Sequence, residues 1–186
     1  MNFDERRELV QVVGNAIGRR MDQLLIDALN SASSPSTVDT NVGGTATNLN
    51  LDKLLAAKKA LDAKNVPAEG RCIVIHANGL SALLNETELT SSDFATIKAL
   101  SAGDISTFLG FRFIMLGDRD EGGLPLPSTR TSFAFHRDAV GLGISMNQKS
   151  EINYVPEKTS FLVSSMFSAG AVAIDDEGIV KISSTE

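Results

Sequence analysis

Cysteine occurs once, as Cys72, and histidine only twice, as His76 and His136. One thiol cannot close an intrachain disulfide, and so small a set of soft ligands cannot build a Cys-rich zinc module. Apolar runs long enough to cross a membrane, roughly 18 residues, are absent. The opening MNFDERRE is charged where a secretory leader needs an apolar stretch, so an intracellular chain is expected. With 15 glycines and 5 prolines, the sequence is too poor in both for a collagenous or disordered chain. What is present is ordinary for a globular protein: 186 residues, 42% hydrophobic and 22% charged, enough for one sizeable core or two lobes sharing an edge.

The net charge of −6 has the wrong sign for a protein whose main task is to grip phosphates. The first 64 residues hold 8 basic and 8 acidic side chains, so the whole acidic excess lies beyond them.

From Phe3 to about Ser31 the residues Leu9, Val13, Ile17, Met21, Leu24 and Ala28 recur at spacings of three and four, with Val10, Val12, Leu25 and Leu29 widening the stripe. This predicts one helix reaching on the order of 40 Å, long enough that part of it projects. Asp4, Glu5 and Glu8 favour its amino end. Gly14 and Gly18, which weaken a helix, are expected at a close crossing with a neighbouring element. Residues 32–48 are small and polar and predict a linker, most flexible at Gly43-Gly44. A second helix is expected over Leu51 to Lys64, capped by Asn50, with Leu51, Leu54, Leu55, Lys58 and Leu61 on its apolar side.

After the turn at Pro67 and Gly70, Arg71 to Ala77 reads as a buried strand and Asn78 to Asn85 as a short helix. Ser92 to Leu100 is expected as a helix opened by a Thr90-x-x-Asp93 capping box, and Gly110 to Leu116 as a strand. Gly117 to Arg130 is a polar insertion expected to be an exposed loop. Six strands follow: Thr131 to His136, Ala139 to Met146, Ser150 to Tyr154, Phe161 to Phe167, Ala171 to Ile174 and Ile179 to Ser183. Gly178 is expected at positive φ in a tight hairpin between Ile174 and Ile179. Helices in front and strands behind indicate an α+β chain.

The candidate chemistry is sparse. Cys72 and His76 share a strand face about 13 Å apart, too far for a thiolate–imidazole pair. Cys72 is expected as a small core residue, His76 as a surface or capping residue, and His136 as solvated. Asp118, Asp120 and Glu121 resemble part of a calcium loop, but Thr129 stands where the twelfth-position ligand belongs; a charged tip is expected. Gly141-x-Gly143 lacks the third glycine and the helix of a dinucleotide fingerprint. The sequon Asn85-Glu86-Thr87 has no meaning without secretion. No catalytic, cofactor-binding or metal-ligating residue is expected, and no enzyme.

Taken in order, the segments resemble the tailed-bacteriophage major capsid protein family, the shell fold first described for phage Hong Kong ninety-seven. NFDERRELVQVVGNAIGRRMDQLLIDAL (residues 2–29) is similar to that family's spine helix, and LLAAKKALDAKNVPAEGRCIVIHANGLSALL (residues 54–84) is the most specific match. GFRFIML, FAFHRDAVGLGIS and YVPEKTSFLVSSMFSAGAVAIDDEGIVKIS follow in the family's order. The resemblance implies a peripheral subdomain from residues 1–32 and 148–175, and an axial subdomain from residues 33–147 and 176–186. It implies a head-shell subunit of a tailed phage or prophage that self-associates through pentamer and hexamer contacts. Other head proteins and packaged double-stranded DNA, touched non-specifically, would be its further partners, with no membrane and no cofactor. Its place would be the virion capsid, and the host bacterial cytoplasm during assembly. The insertion at Gly117 to Arg130 is then expected at the ring contact. The family's amino-terminal arm and extended hairpin have no counterpart before Phe3, so the resemblance implies a subunit truncated at that end. The alternatives are a small intracellular enzyme working around His76 with Asp118 or Asp120, which requires those groups to converge, and a binding module that docks through the long helix.

Overall fold

The computed structural model describes residues 5–85, 107–118, 121–126 and 128–186. The helix expected over Ser92 to Leu100 with its capping box, the second and third residues of the sequon, and Asp120 lie outside them. Among the described residues three α-helices, α1 (Glu5–Asn30), α2 (Leu51–Ala63) and α3 (Ala77–Asn85), accompany two sheets. The larger sheet has the order β1-β8-β5-β2-β4-β3, formed by Ser36–Val38, Ile179–Ser184, Arg130–His136, Arg71–His76, Phe111–Leu116 and Thr107–Phe108. The smaller is one antiparallel hairpin, β6 (Val140–Val155) with β7 (Ser160–Ala173).

The central strands β2, β5 and β8 are buried on both faces, which is why they read as near-continuous apolar runs rather than alternating ones. Ile73 and Ile75 of β2 join Val180 and Ile182 of β8 under Leu54, Ala57 and Leu61 of α2. Val74 between them points the other way, into a cluster with Phe133, Ile179, Leu124 and the end of α1, Ile26 and Leu29. Leu55, expected on the apolar side of α2, is exposed instead. Its neighbour Lys53 is fully buried.

Lys53 explains why residues 32–48 are not the linker their composition suggests. Its Nζ donates to the carbonyls of Thr47 (2.6 Å) and Asn48 (3.1 Å). Asn50 caps α2 by accepting from the Lys53 amide and donates from its Nδ2 to the Val42 carbonyl. Gly43, at positive φ, is packed tight, since a Cβ there would run into the Asn50 side chain. Within the same stretch β1 pairs in parallel with β8. Burial pushes the Lys53 ammonium down from its ordinary range, and Asp39 opposes this.

Three further expectations change. The four strands expected between Ala139 and Ile174 are two long ones, because the main-chain ladder resumes at Lys149 and Ser150 after the irregularity at Asn147 and Gln148, and runs through the small residues at Ser168 to Gly170. Register shifts beside Met146 absorb the mismatch as bulges. The Ile174 to Ile179 hairpin is absent: β7 and β8 belong to different sheets, joined by a 3-10 turn at Asp176–Gly178 that Asp175 caps. Gly178 is needed for space rather than for positive φ, since a Cβ would lie 2.7 Å from the Cβ of Ala139. Lastly, among the described residues nothing packs closely on Gly14 or Gly18; a Cβ on either meets nothing within 4 Å.

Gly14→Ala is therefore expected to raise stability by about 1 kcal/mol, while Gly178→Ala lowers it by roughly 1–3 kcal/mol through overpacking. Urea unfolding of the two variants checks both signs.

Candidate functional site

Strand register alone assembles the most charged site of the molecule. In the parallel pair β2/β4, His76 lies opposite Leu116, so Asp118 follows two residues past the end of β4, beside the imidazole. In the antiparallel pair β5/β8, Arg130 lies opposite Ser184, and Glu186 follows two residues beyond. The four side chains meet at one end of the sheet. Arg130, almost fully buried, grips Glu186 through two bonds of 2.9 Å and Asp118 through one of 2.6 Å. The His76 Nε2 lies 3.3 Å from Asp118, and its Nδ1 lies 3.3 Å from Glu186. That Nδ1 also accepts from the Asn78 amide at 3.2 Å and so caps α3. The Asn78 side chain donates to Glu186.

His76 and Asp118 thus converge as an enzyme around His76 requires, and His76 caps a helix as expected, although it is buried rather than on the surface. The chemistry on display is nevertheless that of a clasp. Both carboxylates are committed to the Arg130 guanidinium, which holds each below its ordinary range. Among the described residues no hydroxyl or thiol approaches the imidazole to serve as a nucleophile.

The other candidates lie apart from this cluster. Cys72 is half-buried on β2, and burial pushes its thiol up, away from the reactive thiolate. His136 is buried, not solvated; its Nε2 donates to the Glu69 carbonyl at 2.8 Å and its Nδ1 accepts from the Asp138 amide. A surface polar residue and a strand-end histidine that ties down a neighbouring turn look alike in sequence. Gly141 and Gly143 lie inside β6. Among the described residues no group of acidic, His or Cys side chains is arranged to hold a metal ion.

The insertion after Gly117 is not a free tip. Glu121 pairs with Arg20 of α1 at 3.3 Å, the Gly122 amide donates to Gln23, and Leu124 is buried under the sheet. Between it and α1 lies an open cleft of about 510 Å³, lined by Gly14, Gly18, Asp22, Met115 and Gly117. Burial raises the Asp22 carboxyl there. Arg19 and Asp118, the latter already bound to Arg130, line it as well.

A family model described as phage capsid protein matches residues 1–186. The chain belongs to that family. No curated protein matches it. Among solved structures, a chain of Mycobacterium phage Che8 superposes with a TM-score of 0.69 at 22% identity, over 94% of this chain and 61% of its own. The capsid structure of cyanophage P-SCSP1u gives 0.71 at 17% identity, covering 100% and 68%. The head structure of Helicobacter pylori bacteriophage KHP40 gives 0.72 at 12%, covering 98% and 70%. The chain spans about three fifths of the Che8 protein's length. These likenesses establish the fold, an α+β capsid fold of the Hong Kong ninety-seven type, as the segment order implied. Within this capsid-family fold the His76 cluster reads as internal bracing.

The bracing has a pH signature. Asp118 and Glu186 have folded-state pKa values below their unfolded ones, so their contribution is present above the unfolded carboxylate range and is lost as pH falls through the folded values. Glu186→Gln is expected to lower stability at neutral pH, and its gap from the parent closes as the medium is acidified. Urea midpoints measured across the acid range check this; a constant gap overturns it.

Proposed function

We propose that this protein is a head-shell subunit of a tailed phage or prophage, a structural protein that self-associates through pentamer and hexamer contacts to enclose double-stranded DNA. The observation that carries the reading is the family match over the entire chain. Two features of the molecule support it. Its charged cluster is saturated internally, and its net charge of −6 suits a container that must release the nucleic acid packed against it. Other head proteins and packaged DNA are its further partners, and host cytoplasm is its place during assembly.

Within the subunit, residues 1–32 and 148–175 are assigned to a peripheral subdomain and residues 33–147 and 176–186 to an axial one. What supports the division is the separate β6/β7 sheet with α1 against it, beside the six-stranded sheet that carries α2 and α3. As β6 begins at Val140 and runs past residue 148, we move the boundary back to residue 140, so that residues 140–147 join the peripheral part and the hairpin is not divided. Docked on α1 by Glu121 and Gly122, the insertion is assigned to a ring contact as a braced ledge.

Purified protein at rising concentration, followed by sedimentation velocity and electron microscopy, is expected to form pentameric or hexameric rings or curved arrays. Persistent monomers, both in this chain and in one given a family relative's amino-terminal arm and extended hairpin, overturn the proposal.

A further inference from the structure

The two histidines of the chain do the same local job. Each ends a strand, and each accepts through its Nδ1, at 3.2 Å, the amide two residues on: Asn78 in the first turn of α3, and Asp138 in the 3-10 turn Arg137–Ala139. A side chain that takes this amide is an amino-terminal cap. The surroundings of the two rings differ. The His136 Nε2 meets the Glu69 carbonyl at 2.8 Å, and the carboxylate of Asp138, 3.7 Å from its Nδ1, is largely exposed. The buried ring of His76 lies between two carboxylates, Asp118 at Nε2 and Glu186 at Nδ1, each 3.3 Å away and each held in place by Arg130.

The His76 Nδ1 is therefore claimed twice. The Asn78 amide needs a lone pair there, which in the neutral ring leaves the proton on Nε2, facing Asp118. The Glu186 Oε1 is an acceptor that only a protonated Nδ1 satisfies. Charge favours the second claim. Among the described residues, the charged groups around the ring are Asp118 just past β4, Glu186 just past β8 and, bridging them, Arg130 of β5. Two carboxylates against one guanidinium leave one negative charge over, and an imidazolium cancels it. Local structure favours the first claim, because the cap secures the start of α3. Glu186 keeps both arrangements within reach: its Oε1 takes the Arg130 Nε, while its Oε2 takes the Arg130 Nη2 and the Asn78 side chain. Asn78 thus stays tethered even when its backbone amide lets go.

We propose that His76 is a proton-operated switch between the start of α3 and the end of β8. Neutral, its Nδ1 caps α3 through the Asn78 amide. On taking one proton from solvent at Nδ1, the ring leaves Asn78 and donates to Glu186, so the clasp tightens as the first turn of α3 loosens. Histidine is the side chain that exchanges its proton nearest neutrality, roughly between pH 8 and 5. Arg130 holds Asp118 and Glu186 below the ordinary carboxylate range, so both remain charged while the switch operates, and the loss of the clasp in acid is a separate, later step. His136 lacks a held carboxylate at its Nδ1 and has no second partner to turn to.

Nuclear magnetic resonance on the unassembled full chain reads the exchange directly. Ring-nitrogen shifts are expected to show the neutral His76 protonated at Nε2. As a proton adds at Nδ1, the Asn78 amide and the Glu186 carboxyl carbon are expected to move in the same step, and the protection of the Asn78 amide against hydrogen exchange to fall about fivefold, the weight of a lost cap. His76→Asn keeps a capping oxygen but takes up no proton, so Asn78 protection in that variant is expected to be independent of pH over the same range; His76→Ser, which also caps, replaces it if it fails to fold. A neutral ring protonated at Nδ1, a ring that takes up no proton down to about pH 5, or an Asn78 or Glu186 signal that does not follow the ring overturns the proposal. So does a pH dependence that survives in the capping variant.

Discussion

Burial of β2, β5 and β8 on both faces is the constraint from which the rest of the molecule follows. A strand with water on neither side needs a layer of apolar side chains above and below. Here α2 with α3 supplies one, and the carboxyl half of α1 with Leu124 supplies the other. Meeting that demand fixes where every connecting segment must run. Residues 39–50 cross the sheet edge under the Lys53 ammonium, and the 117–126 segment folds back onto α1. The ends of β2, β4, β5 and β8 come together where Arg130 ties them. The clasp is thus a consequence of register, with polar groups at the strand ends neutralising one another where the apolar layers stop.

Arg130 shows why charge can sit in such a place. A guanidinium out of water is expensive unless its donors are matched, and here Glu186, Asp118 and the Leu124 carbonyl take its bonds. A cluster containing a histidine, two carboxylates and an arginine resembles catalytic machinery in its inventory. What separates bracing from catalysis is commitment: both carboxylates are bound by Arg130, and the imidazole nitrogen that would act as a base accepts a backbone amide. The same economy governs Arg71, whose buried head joins Asp62 to the carbonyls of Val66 and Pro67 and so locks the turn between α2 and β2.

What the sequence makes legible is whatever depends on local pattern. The periodicity of α1, the Asn50 cap and the β-branched run of β2 all appear within a residue or two of their expected ends. Segment order made the capsid family legible as well. What stays hidden depends on distant partners. Lys53 reads as a surface lysine until the carbonyls it caps are folded over it, and His136 reads as solvated until Glu69 arrives beside it. Gly178 reads as a turn residue until Ala139 occupies the space its side chain would need. The polar run in β6 reads as a break between strands, since side-chain composition is silent about a main-chain ladder supplied by β7. The clasp was invisible for the same reason, because His76 and Glu186 are neighbours only through the register of two strand pairs.

The two long elements, α1 and the hairpin, are unlike the rest of the molecule, since each buries only part of its apolar surface. For a free-standing protein such an edge invites indiscriminate pairing. The hairpin carries the usual safeguards: bulges beside Met146 disturb the ladder, and Lys149 and Glu151 place charge in mid-strand. The bulges disturb the edge of β6, while the register places the Lys149–Glu151 pair on the face that also carries Met166. That distribution separates two kinds of association. Strand-to-strand addition, which needs an open ladder, is disfavoured along β6 beside the bulges. Face-to-helix packing, which needs a matching apolar stripe, is left available. The bulges thus weigh against unspecific edge pairing along β6 without touching the packing of α1 on the hairpin.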